Sequence, residues 1–566
     1  MRTIAVGMQD FAEIREKNYF YVDKTAFIKE WWECGDSATA IMRPRRFGKT
    51  LTMDMVAKFF SIEYQGRSDL FEGLAIWEEE KYRGLQGTYP VIFLSLADVK
   101  HKTFEEARRS LQGVIADIFG RYKFLLENDF LDETERAYFF AIKGGSLSAD
   151  YQVAIRRLAK HLFDYYGKKP IILLDEYDTP MQEAYVHGYW EDMVGFLRVF
   201  FHATFKTNLY MERGLMTGIT RISKESIFSD LNHLKVITLQ SSKYADSFGF
   251  TEAEVFAAMD EFGYTNKDAV KRWYDGFTIG KKTDIYNPWS IINFLQEGEL
   301  KAYWANTSSN SLVGLLVQRA DPNFKMQFED LIAGKSIQVA LDDQIVFSQL
   351  DGRPNAIWSL LLASGYVKGM ARIDKDAATD DLIYDDMAIT NWETHRMFTG
   401  MFQGWFRDTK ASADYNCFVQ ALLLDDVRAM TNYMNEVSLA VFSYFDTGSR
   451  PSGKASPERF YHGFVLGLMA DLRDRFVLTS NRESGFGRYD VMLEPKNEKD
   501  NAVIIEFKVH KPRREKSLED TVQAALRQIE EKKYREALVE KGFAEDRIRA
   551  YGFAFQGKTV LIGRGE

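Results

Sequence analysis

The sequence predicts an α/β protein built on two separate sheets, and three apolar runs predict it. The first ends at Ile41-Met42 and leads through Arg43-Pro44-Arg45-Arg46-Phe47-Gly48-Lys49-Thr50 into Leu51 to Phe60, whose apolar spacing suits a helix. The second, Lys169 to Leu174, ends in Asp175-Glu176, as a buried parallel strand reads when its carboxyl end faces a ligand. The third, Val503-Ile504-Ile505-Glu506-Phe507-Lys508, lies in the last fifth of the chain. At 566 residues the chain exceeds what one core holds and suggests two to four domains.

The first run carries a phosphate-binding pattern. Backbone N–H groups around Gly48 and the following helix N-terminus suit phosphates, Lys49 reaches the terminal ones, and the Thr50 hydroxyl suits magnesium. Arg46, Gly48, Lys49 and Thr50 are therefore the expected nucleotide-binding residues of this loop. One position departs from G-x-x-x-x-G-K-[ST]: Arg43 stands where the pattern has glycine, and arginine does not readily take glycine-only backbone angles. The loop is expected to start differently. In the second run, Asp175 is expected to hold the magnesium and Glu176 to activate the attacking water. A core strand ending in a solvated turn at Asp175-Glu176-Tyr177-Asp178 is the plainer reading of that run alone. Both motifs in this order favour the nucleotide site.

The third run is preceded by Tyr489-Asp490 and a turn through Glu494-Pro495-Lys496-Asn497-Glu498, so 490–493 can return antiparallel beside 503–505. Alternation then puts Glu506 and Lys508 on one face and Phe507 on the other, toward a core. Two carboxylates, Asp490 and Glu506, with waters, suit a magnesium ion that polarises a phosphate and helps form hydroxide. Lys508 would orient the water or stabilise developing negative charge. An isolated E-x-K also reads as an exposed cross-strand ion pair.

With those residues in view, the last fifth of the chain resembles the PD-(D/E)XK nuclease superfamily, with Tyr489 where the family name has proline. The resemblance includes the helix-like Ser456 to His462 and Gln523 to Ile529 with Tyr534. It implies that Glu458 assists the metal and that Gln528 approaches the active face. The first half resembles the AAA-ATPase-like domain that precedes such nuclease-like domains in many bacterial proteins, whose loop reads R-P-R-R-F-G-K-[ST]. Tyr21 to Thr25, Gly218 to Ser223, Trp273 to Phe277 and Tyr286 to Ser290 extend that likeness to about residue 310. It implies that Thr217 or Thr220 senses the terminal phosphate and that Arg221 contacts it. The aromatic and turn residues of the last two motifs read as packing and chain reversal.

The expected architecture is an N-terminal P-loop NTPase domain (1–225, parallel sheet flanked by helices) and a helical lid (226–345). A helical connector with a small hairpin module (346–450) and a restriction-endonuclease-like α/β domain (451–566) follow. In the connector, a helix through Trp358 to Ala363, Gly365, and strand-like runs Tyr366 to Ile373 and Leu382 to Ile389 read as helix plus hairpin, and Thr447 to Lys454 as a linker. With 46% hydrophobic residues the chain can bury large cores, and no apolar run approaches bilayer length. Asp10, Glu13, Arg15 and Glu16 stand where a signal peptide would be apolar. Cys34 and Cys417 lack metal-ligand spacing, and the eight histidines form no close pair, so no zinc site is expected. A cytoplasmic location is the expectation.

A formal net charge of −9 sits awkwardly with nucleic acid, although His510-Lys511-Pro512-Arg513-Arg514-Glu515-Lys516 offers a local basic run that also reads as a solvated loop. Together these features lead to an expected ATPase with ATP and magnesium as cofactors, joined to a magnesium-dependent nuclease cutting DNA in preference to RNA. The alternative is a nucleotide-dependent switch or scaffold whose nuclease-like fold only binds nucleic acid or a protein. An ATPase that remodels proteins is a third reading. No trans-acting arginine is evident, which leaves monomer and homo-oligomer both open.

Overall fold

The structure, a computed structural model, describes residues 2–220, 233–304, 311–319, 322–332, 334–339, 354–371, 384–398 and 415–441. Toward the C-terminus it describes 465, 469, 472, 475–480, 483–484, 487–488, 491–497, 500–512, 515–556 and 559–565. The chain divides into two compact units, Met1–Leu316 with Ser336–Thr394, and Val317–Lys335 with His395–Glu566.

The first unit is built on five parallel strands: β1 (Ala38–Met42), β2 (Val91–Ser95), β3 (Ile171–Asp175), β4 (Arg213–Gly218) and β5 (Leu234–Ile237), in the order β2-β3-β4-β1-β5. Every residue of β1 and β3 is buried, which is why both read as unbroken apolar runs: helices cover the two faces. Pairing of Met42 with Gly218 and of Ser95 with Asp175 brings these strand ends to one carboxyl edge, where open α/β sheets bind ligands. The Lys49–Phe60 helix leaves β1 at that edge and buries Met53, Val56, Phe59 and Phe60 in a core shared with Trp31, Leu173 and Leu215.

The region expected to be mainly helical does contain the Glu252–Phe262, Lys267–Tyr274 and Pro288–Glu297 helices. It also holds a three-stranded antiparallel sheet that the sequence reading lacks: β6 (Phe250–Thr251), β7 (Phe277–Ile279) and β8 (Lys282–Tyr286), in the order β6-β8-β7. Strands of two to five residues are too short to show a period of their own. Their reversal depends on Gly280, held at φ 57°.

Beside this sheet Lys271 pairs with Glu252 and, at 3.3 Å, with Asp284. The carboxylate oxygens of Glu252, Asp275 and Asp284 lie within 4.8 Å of one another. Burial, reinforced by Asp284, pushes the Asp275 carboxyl up to about 6. The folded protein thus holds this proton more tightly than the unfolded chain does, and stability falls as pH rises from roughly 4 to 6. Asp275→Asn is therefore expected to raise the melting temperature by a few degrees near neutral pH and to leave it unchanged or lower at pH 4. Scanning fluorimetry at the two pH values checks this, and an equal shift at both would rule out proton linkage.

The Pro354–Ala363 helix is followed by Gly365 and then by β10 (Val367–Ala371) and β11 (Tyr384–Ile389), which pair antiparallel and take β9 (Ile337–Gln338) onto their edge. The helix-plus-hairpin reading corresponds to these elements.

The second unit centres on a mixed sheet of β12 (Phe476–Ser480), β15 (Val491–Pro495), β16 (Ala502–Val509), β17 (Ile548–Gln556) and β18 (Thr559–Arg564), in that order. β13 (Glu483–Ser484) and β14 (Gly487–Arg488) form a separate pair. Only β16 and β17 run parallel. Alternation along β16 sends Ala502 and Ile504 against the Leu518–Glu531 and Tyr534–Glu540 helices, where Val522, Ile529 and Leu538 pack. Val503, Ile505 and Phe507 face the other way, onto Phe418, Met430 and Met434 of the Tyr415–Leu424 and Val427–Val441 helices. The expected domain start at residue 451 thus lies downstream of two helices that share this core. Among the described residues no helix is long and apolar enough to cross a membrane.

Candidate nucleotide and nuclease sites

Arg43 belongs to the core and not to the phosphate cradle. Its side chain is fully buried, and its guanidinium donates to the carbonyls of Met42 (2.9 Å), Thr238 (2.8 Å), Lys243 (3.3 Å) and Tyr244 (3.2 Å). Burial lowers its pKa to about 9. Its backbone N–H continues the ladder to the Gly218 carbonyl at 3.1 Å. The left-handed turns of the loop fall instead at Arg46 (φ 65°) and Gly48 (φ 79°), so position 43 makes no demand for glycine.

Gly48 caps the Lys49–Phe60 helix, and the buried Lys49 ammonium donates to the loop carbonyls of Arg43 (3.0 Å) and Pro44 (2.9 Å). Burial lowers the Lys49 pKa against the opposing pull of Glu176, Asp175 and Asp178. Thr50 Oγ1 donates to Asp175 Oδ2 at 2.7 Å, and Thr217 donates to the other carboxylate oxygen. Burial raises the Asp175 carboxyl, an effect the Thr217 and Thr50 hydrogen bonds partly offset. A hydroxyl and a carboxylate side by side at a helix N-terminus are hard oxygen donors of the kind that hold magnesium together with waters. The residues present fit that ion.

Glu176 sits at φ 52°, uncommon for a residue with a side chain, and accepts from Thr179 Oγ1 at 3.1 Å. Asp178 fastens the end of β4: it accepts from Ile219 N (3.0 Å), Thr220 N (2.9 Å), Thr220 Oγ1 (2.9 Å) and Gln182 Nε2 (2.9 Å). Of the two threonines named as phosphate sensors, Thr217 reaches the Asp175 carboxylate and Thr220 is bound to Asp178. This approach requires Gly218, because a Cβ there would lie 2.7 Å from Asp178 Oδ1. Arg221 lies outside the described residues.

Lys49, Thr50, Glu176, Thr179 and Gln182 border a cleft of about 390 Å³. Its lining also includes the apolar Met8, Phe20, Val22, Phe250 and Ile292. Ile292 comes from the Pro288–Glu297 helix, part of the region read as a lid beside the nucleotide site, and Phe250 from β6; the sequence reading gave no role to Met8, Phe20 and Val22 of the N-terminal segment.

In the second unit, Val491 pairs with Ile505 and Met492 with Ile504 across β15 and β16. Asp490 lies immediately before Val491 in sequence, outside the described residues, as does Glu458. Glu506 is buried, and Gln528, from the Leu518–Glu531 helix, donates its amide nitrogen to Glu506 Oε1. The same amide accepts at its oxygen from Lys508 Nζ, at 2.6 Å. Glu506, Gln528 and Lys508 thus converge between one strand face and one helix.

One polar cluster beside them is absent from the sequence reading. His510 Nδ1 lies 2.9 Å from Thr521 Oγ1, and that hydroxyl donates to Glu515 Oε2 at 2.8 Å. His510 follows Lys508 by two residues, the spacing that keeps a side chain on the same strand face. Of the basic run at 510–516, Glu515 also accepts from Lys511 N at 2.8 Å, while Arg513 and Arg514 lie outside the described residues.

A phosphate-loop pattern at the carboxyl edge of a parallel sheet fits a P-loop type of α/β domain, and an acid and a lysine joined by a helix glutamine on a strand of a mixed sheet fit a nuclease-type fold. Residues 5–228 match the family model described as predicted AAA-ATPase, and residues 456–565 match that of the PD-(D/E)XK nuclease superfamily. The chain joins an AAA-ATPase-like domain to a PD-(D/E)XK nuclease superfamily domain. An uncharacterized protein from the vnfD 5′ region of Azotobacter chroococcum mcd 1 is 28% identical over 322 residues, covering 56% of this chain and 57% of that protein. The match therefore spans little more than half the length of that relative. The Walker-type ATPase PABY2304 of Pyrococcus abyssi superposes with a TM-score of 0.34 and 13% identity over 67% of this chain and 95% of its own.

Proposed function

We propose that the chain binds and hydrolyses ATP in the first unit and cuts phosphodiester bonds, of DNA in preference to RNA, in the second. The observation that carries the nuclease half is the convergence of Glu506, Gln528 and Lys508. Glu506 with Asp490 would hold a magnesium ion, with Glu458 assisting. When bound, the ion supplies Lewis-acid polarisation of the phosphate and a lowered water pKa. Lys508, steadied by the Gln528 oxygen, places its ammonium where negative charge develops on the phosphate oxygens. Gln528 at the same time fixes the Glu506 carboxylate.

In the first unit, Gly48, Lys49 and Arg46 would bind the phosphates, with Arg221 contacting the terminal one. Thr50 and Asp175 would hold the second magnesium ion, and Glu176 would accept a proton from the attacking water. Because Thr217, and not Thr220, touches Asp175, Thr217→Val is expected to slow ATP turnover about tenfold or more, and Thr220→Val less. Steady-state phosphate release from the two variants checks the order, and the reverse order would assign the sensing role to Thr220.

Incubation of the full-length protein with supercoiled DNA and single-stranded RNA, with magnesium and then with chelator, tests the nuclease half. Magnesium-dependent nicking supports it. Absence of cutting on every polymer supports instead the switch or scaffold reading, which the acidic net charge of −9 favours.

A further inference from the structure

The motif Tyr286 to Ser290 has no part in the chemistry above, yet it touches the phosphate loop. Asn287 is fully buried and works in two directions. Its Oδ1 accepts from Trp289 N at 2.9 Å, capping the Pro288–Glu297 helix, and its Nδ2 donates to the carbonyl of Arg45 at 3.2 Å. Behind the helix, Ser290 Oγ donates to Glu393 Oε2 at 2.7 Å. This helix end is fixed on both sides.

Fixed there, the Trp289 ring lies 4.3 Å from the Arg46 guanidinium, and both side chains border the cleft beside Lys49 and Thr50. Lys49 and Arg46 differ in their commitments. Lys49 is bound to loop carbonyls, whereas among the described residues Arg46 makes no ion pair. A guanidinium stacked on an aromatic face keeps its N–H edges in its own plane, open to a phosphate. Its backbone, held at φ 65°, sets the direction in which that side chain leaves the loop.

We propose that Trp289 is a positioning residue that holds Arg46 as a reader of the nucleotide's outer phosphates, and that the Asn287 bond ties this reading to the Pro288–Glu297 helix. The inference rests on the nucleotide reading of the cleft and goes beyond it by assigning phosphate-number discrimination to a pair 243 residues apart in the chain. A di- or triphosphate engages Arg46, while a bare nucleoside does not. The lid helix is therefore sensitive to the phosphate end of the ligand, not only to its base.

Calorimetric titration of the full-length protein with magnesium-ATP, magnesium-ADP and adenosine tests this in wild type, R46A, W289A, W289F and the R46A/W289A double variant. R46A is expected to weaken ATP about tenfold or more and adenosine less than about twofold. W289A is expected to weaken ATP several-fold, W289F to recover most of the loss, and the double variant to be no weaker than R46A alone. Equal losses for ATP and adenosine in W289A would make Trp289 a wall of the base pocket and overturn the proposal. So would additive losses in the double variant, or unchanged ATP affinity in W289A. Failure of the wild type to bind any of the three ligands would instead overturn the nucleotide reading itself.

Discussion

Lys508→Ala is expected to reduce phosphodiester cleavage by about a thousandfold while leaving nucleic-acid affinity within a fewfold of wild type. On the proposed function the ammonium is a single charge at the scissile phosphate, so its loss would fall on the transition state, where charge accumulates. Affinity for the polymer comes from many phosphate contacts spread along it. Glu506→Gln should be at least as damaging, because a neutral amide is a poor ligand for a hard cation. Single-turnover cleavage of an end-labelled duplex, with affinity measured in parallel in calcium, separates the two effects. Equal losses of binding and cutting would sink the catalytic role of Lys508 and leave it a backbone contact.

Arg43→Gly, which would restore the ordinary glycine of the phosphate loop, is expected to destabilise the first unit by about 3–5 kcal/mol. Four carbonyls lose their donor at once, and a cavity replaces a fully buried side chain. The loop gains nothing in exchange, because its left-handed residues are Arg46 and Gly48. Urea unfolding followed by intrinsic fluorescence reads the loss directly. A variant as stable as wild type, with tighter nucleotide binding, would show that the loop is governed by its glycine spacing and that the arginine is incidental.

The sequence made the two strand-to-site junctions legible because each lies within one short segment. Apolar runs ending at Met42 and Asp175, and the Glu506-Phe507-Lys508 alternation, declare strand, exit and chemistry together. The turn at 494–498 likewise announced the pairing of β15 with β16, and the family resemblance, not any local spacing, singled out Gln528, whose amide meets Glu506 and Lys508. What stayed hidden involves partners far apart in the chain. Arg43 looked like a fault in a motif because its acceptors at Thr238, Lys243 and Tyr244 lie some two hundred residues away. Thr217 and Thr220 were indistinguishable by position, since Asp175 and Asp178 decide between them. Trp289 read as packing because nothing near it in sequence shows that Arg46 lies above its ring. Asp490, Glu458 and Arg221 lie outside the described residues, so their placement rests on sequence alone.

The polar contacts that β16, and His510 just beyond it, make with the Leu518–Glu531 helix work together like a vernier. Thr521 and Gln528 are two helical turns apart, about 10.5 Å, and they meet His510 and the Glu506–Lys508 pair, whose separation along an extended strand is comparable. The two scales coincide at one setting only. A single residue inserted into the helix between 521 and 528 would turn Gln528 by about 100° and disengage it, even with every apolar contact upstream intact. The spacing along this helix is in effect the gauge that holds acid and ammonium in mesh.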